Sequence, residues 1–242
     1  MKIGLLQCDD VAQPLIERHG SYPDMIQTLL RSVDPEVELQ VFACHEGRIP
    51  DRTDGFDGWL TTGSKYGAND DADWIASLER FIRTLWQAHQ PLVGICFGHQ
   101  LMAKALGGRV ERSVNGWGLG AYPVTLSQQE PWMSPWDSPT LELLASHQDQ
   151  VAELPPQGRI LAHSGFCPIY MMQVGDVFLG IQGHPEFSRA YLEDLLELRR
   201  TGVSAERILA ARHSLRQPVN DLLVGRWILN FIRSRCGAAT AP

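Results

Sequence analysis

Four short apolar runs in the first half of the chain constrain the fold more than any other feature. They are Ile3–Cys8, Val37–Cys44, Gly58–Gly63 and Pro91–Cys96, each of strand length. Stretches with helical spacing lie between and after them. Tyr22–Arg31 is one. Asp73–Gln90 is another, with Trp74, Ile75, Leu78, Phe81, Ile82, Leu85 and Trp86 on one side and Pro91 as its stop. Phe97–Leu106 is a third, ended by Gly107-Gly108. Strands that alternate with helices require βαβ crossovers, and so a mostly parallel sheet covered on both faces. The second half carries closely spaced strands at Ala121–Leu126, Arg159–His163, Ile169–Gln173 and Val177–Gln182, with Val174-Gly175-Asp176 as a tight turn. These read as a small antiparallel extension. Helical stretches Arg189–Arg200, Ser204–His213 and Pro218–Arg233 close the chain. The expectation is a three-layer α/β/α fold, one domain over residues 1–236, with a frayed tail at 237–242.

The charge balance removes some functions. A formal charge of −7 argues against a nucleic-acid surface, which needs clustered Lys and Arg. No apolar run reaches the roughly 18 residues of a membrane helix. The apolar run before Asp9 and Asp10 is too short for a signal peptide. A cytoplasmic protein with no membrane partner is expected. Five cysteines, at 8, 44, 96, 167 and 236, form no CxxC pair, so neither a disulfide framework nor a thiolate zinc site is expected. No histidine or carboxylate spacing calls for a metal. The segment Gln128–Pro139, rich in proline and tryptophan, reads as a loop. Either its own aromatics pack it, or it forms a lid with Trp132 and Trp136 facing substrate.

The strongest chemical signal is Gly94-Ile95-Cys96-Phe97-Gly98-His99-Gln100. A nucleophile at a strand-to-helix junction, with a glycine two residues away on each side, has the spacing of a nucleophile elbow. The glycines relieve a crowded turn. Cys96 then stands at a helix N-terminus, where the helix dipole favours a thiolate, and the Phe97 N–H can face a developing oxyanion. A cysteine nucleophile needs a base, and the base an orienter. His184 follows the strand Val177–Gln182. Glu186 lies two residues on, so both side chains share one face of an extended backbone. Such a carboxylate fixes the imidazole tautomer.

These two motifs together resemble the class I (triad) glutamine amidotransferases, and within them the stand-alone, GMP-synthase-like branch. Thr62-Gly63-Ser64-Lys65-Tyr66-Gly67, Ser146-His147-Gln148-Asp149 and the opening stretch from Ile3 to Met25 add to the likeness. The resemblance implies a flavodoxin-like fold and a γ-glutamyl thioester route. Cys96 would attack the side-chain amide of glutamine, His184 would move the proton, and Glu186 would orient His184. Backbone N–H groups of Gly63, Ser64 and Phe97 would hold the oxyanion. Gln100 would contact the glutamyl group. Ser113, Val114, Asn115, Gly116 and Trp117 would hold its amino-acid end, and His147 would support the site from behind. No cofactor is implied. The ammonia would pass to a separate acceptor, which makes a separate synthetase subunit the expected partner. Two alternatives stay open: a self-sufficient γ-glutamyl peptide or amide hydrolase, whose Trp132/Trp136 loop shapes a larger leaving-group pocket, and a non-catalytic binding protein on the same scaffold.

Overall fold

A computed structural model describes residues 1–135 and 138–236. Trp136 and the tail at 237–242 lie outside the described residues. The parallel half of the sheet is built from β1 (Lys2–Gln7), β2 (Glu38–Ala43), β3 (Gly58–Thr61) and β4 (Leu92–Ile95), joined by β11 (Phe178–Ile181). The antiparallel half contains β6 (Gly118–Leu126), β7 (Thr140–His147), β9 (Gly158–His163) and β10 (Met171–Val174). All nine strands form one sheet in the order β2-β1-β3-β4-β11-β10-β9-β6-β7. Parallel strands at its centre are buried along their whole length, which explains their unbroken apolar runs. A separate hairpin-like pair joins β5 (Arg109–Arg112) to β8 (Asp149–Glu153).

Helices cover both faces. On one side α2 (Tyr22–Val33) and α7 (Asp221–Cys236) pack together with the sheet, through Ile26, Leu30, Val224, Trp227, Ile228 and Phe231. A capping box between Ser21 and Asp24 starts α2. On the other side α3 (Asp73–Gln87) and α4 (Phe97–Ala105) bury Ile75, Leu78, Ile82, Leu101 and Met102. A third cluster joins α1 (Gln13–His19), α5 (Arg189–Leu198) and α6 (Ala205–Ser214) to β6 and β7. The Val174-Gly175-Asp176 turn joins β10 to β11 as the sequence indicates.

Ser146-His147-Gln148-Asp149 is a strand junction: Ser146 and His147 close β7, and Asp149 opens β8. The lid alternative for Gln128–Pro139 needs correction. Trp132 is not a lid residue. It is 4% exposed and meets Trp227 and Phe231 of α7 edge-on. Asn230 of α7 donates to the carbonyls of Trp132 and Ser134, tying the loop to the helix. Replacing Trp132 with Ala is expected to lower unfolding free energy by about 3–5 kcal/mol in urea titration, as a core cavity does, without changing substrate KM.

Candidate active site

Cys96 stands between β4 and α4 with φ 51° and ψ −100°, a left-handed backbone that a residue with a Cβ rarely adopts. The flanking glycines make this conformation possible. A Cβ on Gly94 would come within 2.6 Å of the Gly98 backbone, and one on Gly98 would run into the Thr61 side chain. Thr61 is itself held there, because its hydroxyl accepts the Ile95 N–H at 3.2 Å. The crowding expected from the glycine spacing thus has named partners.

His184 lies just beyond β11, which pairs with β4 in parallel register. Its N–H donates to the Leu144 carbonyl of β7 at 2.7 Å, anchoring the backbone. Its Nδ1 meets Glu186 Oε1 at 2.7 Å, and the side chains of both residues are buried. The imidazole stacks on Phe187, with ring centres 3.9 Å apart and planes 5° from parallel. The Cys96 side chain is its neighbour across Gly63. Burial alone would push the His184 pKa down. The neighbouring Glu186 carboxylate and Cys96 outweigh it and raise the pKa to about 10. The result is a buried imidazole that keeps its proton.

Gly63 and Ser64 follow β3 and face this pair. A Cβ on Gly63 would lie 2.7 Å from His184 Cε1 and 3.6 Å from Cys96 Cβ, so only glycine leaves room for the imidazole. No hydrogen bond among the described residues takes the N–H of Gly63 or Ser64. Two cavities flank the turn. The first, of about 180 Å³, reaches Cys96, Phe97, Gln100, Arg112, Trp117 and Asp149. The second, of about 140 Å³, reaches His184, Phe187, Tyr22, Tyr191 and Asp9. Ser64, Lys65, Ser146 and Arg199 border both.

Of the residues singled out in the sequence, Cys96, His184, Glu186, Gly63, Ser64, Phe97, Gln100 and His147 come together here. Gln100 Nε2 donates to the Asp149 carbonyl at 2.7 Å and to Gln182 Oε1 at 3.2 Å. His147 Nδ1 pairs with the Asp149 carbonyl at 3.2 Å, and burial brings its pKa down to about 4, so it is neutral. His99 is likewise neutral, its pKa lowered to about 3 by burial. From the stretch 113–117 only Trp117 borders a cavity. Ser113 and Gly116 form a turn, Val114 is fully exposed, and Arg207 of α6 donates to the carbonyls of Asn115 and Trp117.

Two residues escaped the sequence reading. Gln182 donates to Cys96 Sγ at 3.5 Å. Its position two residues before His184, on the same strand face, is the signal that marks it. Arg199, at the end of α5, has no such signature. Asp10, His45 and Glu46 bring three metal-type ligand atoms within 4.8 Å of one another at the surface. Both His45 nitrogens already face protein oxygens, of Gln7 and Asp10, so the cluster is explained without an ion.

Residues 15–195 match the family model for glutamine amidotransferase class-I. Among curated proteins the chain is similar to gamma-glutamyl peptidase 4 of Arabidopsis thaliana, 33% identical over 201 residues, covering 81% of this chain and 76% of the relative. It is also similar to one subunit of the glutamine-hydrolyzing GMP synthase of Pyrococcus abyssi, 27% identical over 186 residues, covering 75% of this chain and 93% of that one. A glutamine amidotransferase structure from Thermotoga maritima has the same fold, with a TM-score of 0.74 at 19% identity over 97% of both chains. No helix among the described residues is long and apolar enough to cross a membrane. A family-model match over most of the chain, carried on this three-layer sheet, places the protein in the class I glutamine amidotransferase family.

Proposed function

We propose that the chain is a cysteine-dependent hydrolase of γ-glutamyl amide bonds, acting through residues 1–236 as one catalytic unit without a cofactor. One observation carries this reading: at the strained end of β4 the His184 imidazole meets the Glu186 carboxylate at 2.7 Å and shares the space over Gly63 with the Cys96 side chain. The Cys96 thiolate attacks the γ-carbonyl carbon. The N–H groups of Gly63, Ser64 and Phe97 take the negative oxygen, a contribution of about 10²–10³ in rate per donor. The C–N bond breaks, and the His184 imidazolium gives its proton to the departing amine. Water then attacks the γ-glutamyl thioester while His184 takes a proton from it. Glutamate leaves and the thiolate returns. Glu186 keeps Nδ1 protonated, so Nε2 faces the sulfur. Gln100 lines the glutamyl side, with Trp117, the end of the stretch Ser113–Trp117, as its wall, and His147 backs the β7–β8 corner.

A γ-glutamyl peptide or amide is the favoured substrate, because the cavity on the His184 side exceeds what ammonia needs, about 30 Å³ for a molecule of water size. The second reading is glutamine hydrolysis with ammonia handed to a separate synthetase, and the similarity to part of a GMP synthase favours it. In either case the compartment we propose is the cytoplasm.

Cys96→Ala is expected to abolish glutamate release from glutamine and from γ-glutamyl peptides alike, with an unchanged circular dichroism spectrum. Near-wild-type turnover in that variant refutes the mechanism. Glu186→Gln is expected to lower kcat by about 10²–10⁴. It also moves the alkaline limb of the pH–rate profile. The wild-type limb falls as pH rises through about 10, where the imidazolium loses its proton. Removing the carboxylate charge lowers that pKa, so the limb shifts toward neutral pH.

A further inference from the structure

The two cavities divide the substrate. Cys96 lines the first and His184 the second. The bond that breaks runs from the carbonyl carbon at the sulfur to the nitrogen that receives the His184 proton. The acyl half therefore sits in the first cavity and the departing amine in the second. At the border stands Arg199. Among the described residues its guanidinium has no carboxylate partner and donates no side-chain hydrogen bond. Its Nε is buried and unpaired. Its guanidinium carbon lies over the Trp117 ring, 4.2 Å from the ring centre. Beside it the Ser146 hydroxyl, 8% exposed, also lacks a partner. A half-buried cation and a buried hydroxyl, both unsatisfied and both bordering one space, are costly unless a ligand completes them.

Resting on the hydrolase reading above, we propose that Arg199 and Ser146 form a carboxylate subsite for the leaving group, so that the preferred substrates are γ-glutamyl peptides with a free C-terminal carboxylate. The Arg199 fork matches a carboxylate in two parallel N–H bonds, and the hydroxyl adds a third. The other charges around the second cavity leave this role to Arg199. Asp9 is neutralised by Lys65 at 2.8 Å and also accepts the Lys65 N–H. Asp10 is held by Gln7 and His45. The acyl side has its own cation in Arg112, which borders only the first cavity. The walls toward Tyr22, Phe187, Tyr191 and Leu195 are apolar or aromatic and accept the carbon skeleton of a short peptide.

The test compares γ-glutamylglycine with its C-terminal amide. Wild-type kcat/KM is expected to favour the free acid by about 10- to 100-fold, the worth of a charge-assisted pair. Arg199→Met brings that ratio close to 1, and Arg199→Lys keeps part of it, with thermal melts confirming that both variants fold. A wild-type ratio near 1, or a ratio that survives Arg199→Met, overturns the subsite. Calorimetric binding of γ-glutamylglycine to Cys96→Ala protein, with and without Arg199→Met, separates this from the parent reading. Binding that depends on Arg199 without any wild-type turnover supports the subsite and sinks the hydrolase assignment. Turnover with binding indifferent to Arg199 does the reverse.

Discussion

Everything at the site depends on one backbone torsion. Cys96 holds φ 51° only because β4 and β3 press the turn from below and two glycines let the chain pass. Such a torsion costs of order 1–3 kcal/mol in isolation. The surrounding core supplies it: Ile95, Phe97, Leu101 and Met102 are all essentially inaccessible to solvent. The strained residue joins the end of β4 directly to the first turn of α4.

A second constraint is electrostatic. A protonated imidazole in a buried site is stable only while the Glu186 carboxylate stays beside it, since desolvation alone would strip its proton. The Phe187 ring stacked on the imidazole and the Glu186 carboxylate at its Nδ1 leave it little freedom to turn. His147 and His99, buried in the same region without carboxylates, end up neutral. Three buried histidines thus carry different charge because only one has an acid beside it.

The parallel half of the fold was legible because its strands are buried on both faces and leave uninterrupted apolar runs. The core of the site was legible because steric crowding demands glycine at 94 and 98, and strand periodicity sets His184 and Glu186 side by side. Other elements left weaker traces. β5 has one buried residue in four, so Arg109–Arg112 shows no apolar run. β7 follows a proline-rich segment, and its first residues look like more loop. α1 is under two turns and begins at Pro14's neighbour, too short for a period to register. Arg199 was invisible for a different reason: what distinguishes it is the missing partner, and that is a property of packing between α5, Trp117 and β7 rather than of any spacing.

The strand order carries a further consequence. β11 comes last among the strands along the chain yet sits in the middle of the sheet, between β4 and β10. A chain emerging from the ribosome makes its cysteine long before the strand that delivers the imidazole. Until residues 178–186 fill that gap, the two halves of the sheet cannot join and Cys96 has no imidazole beside it, so assembly of the candidate site waits for β11.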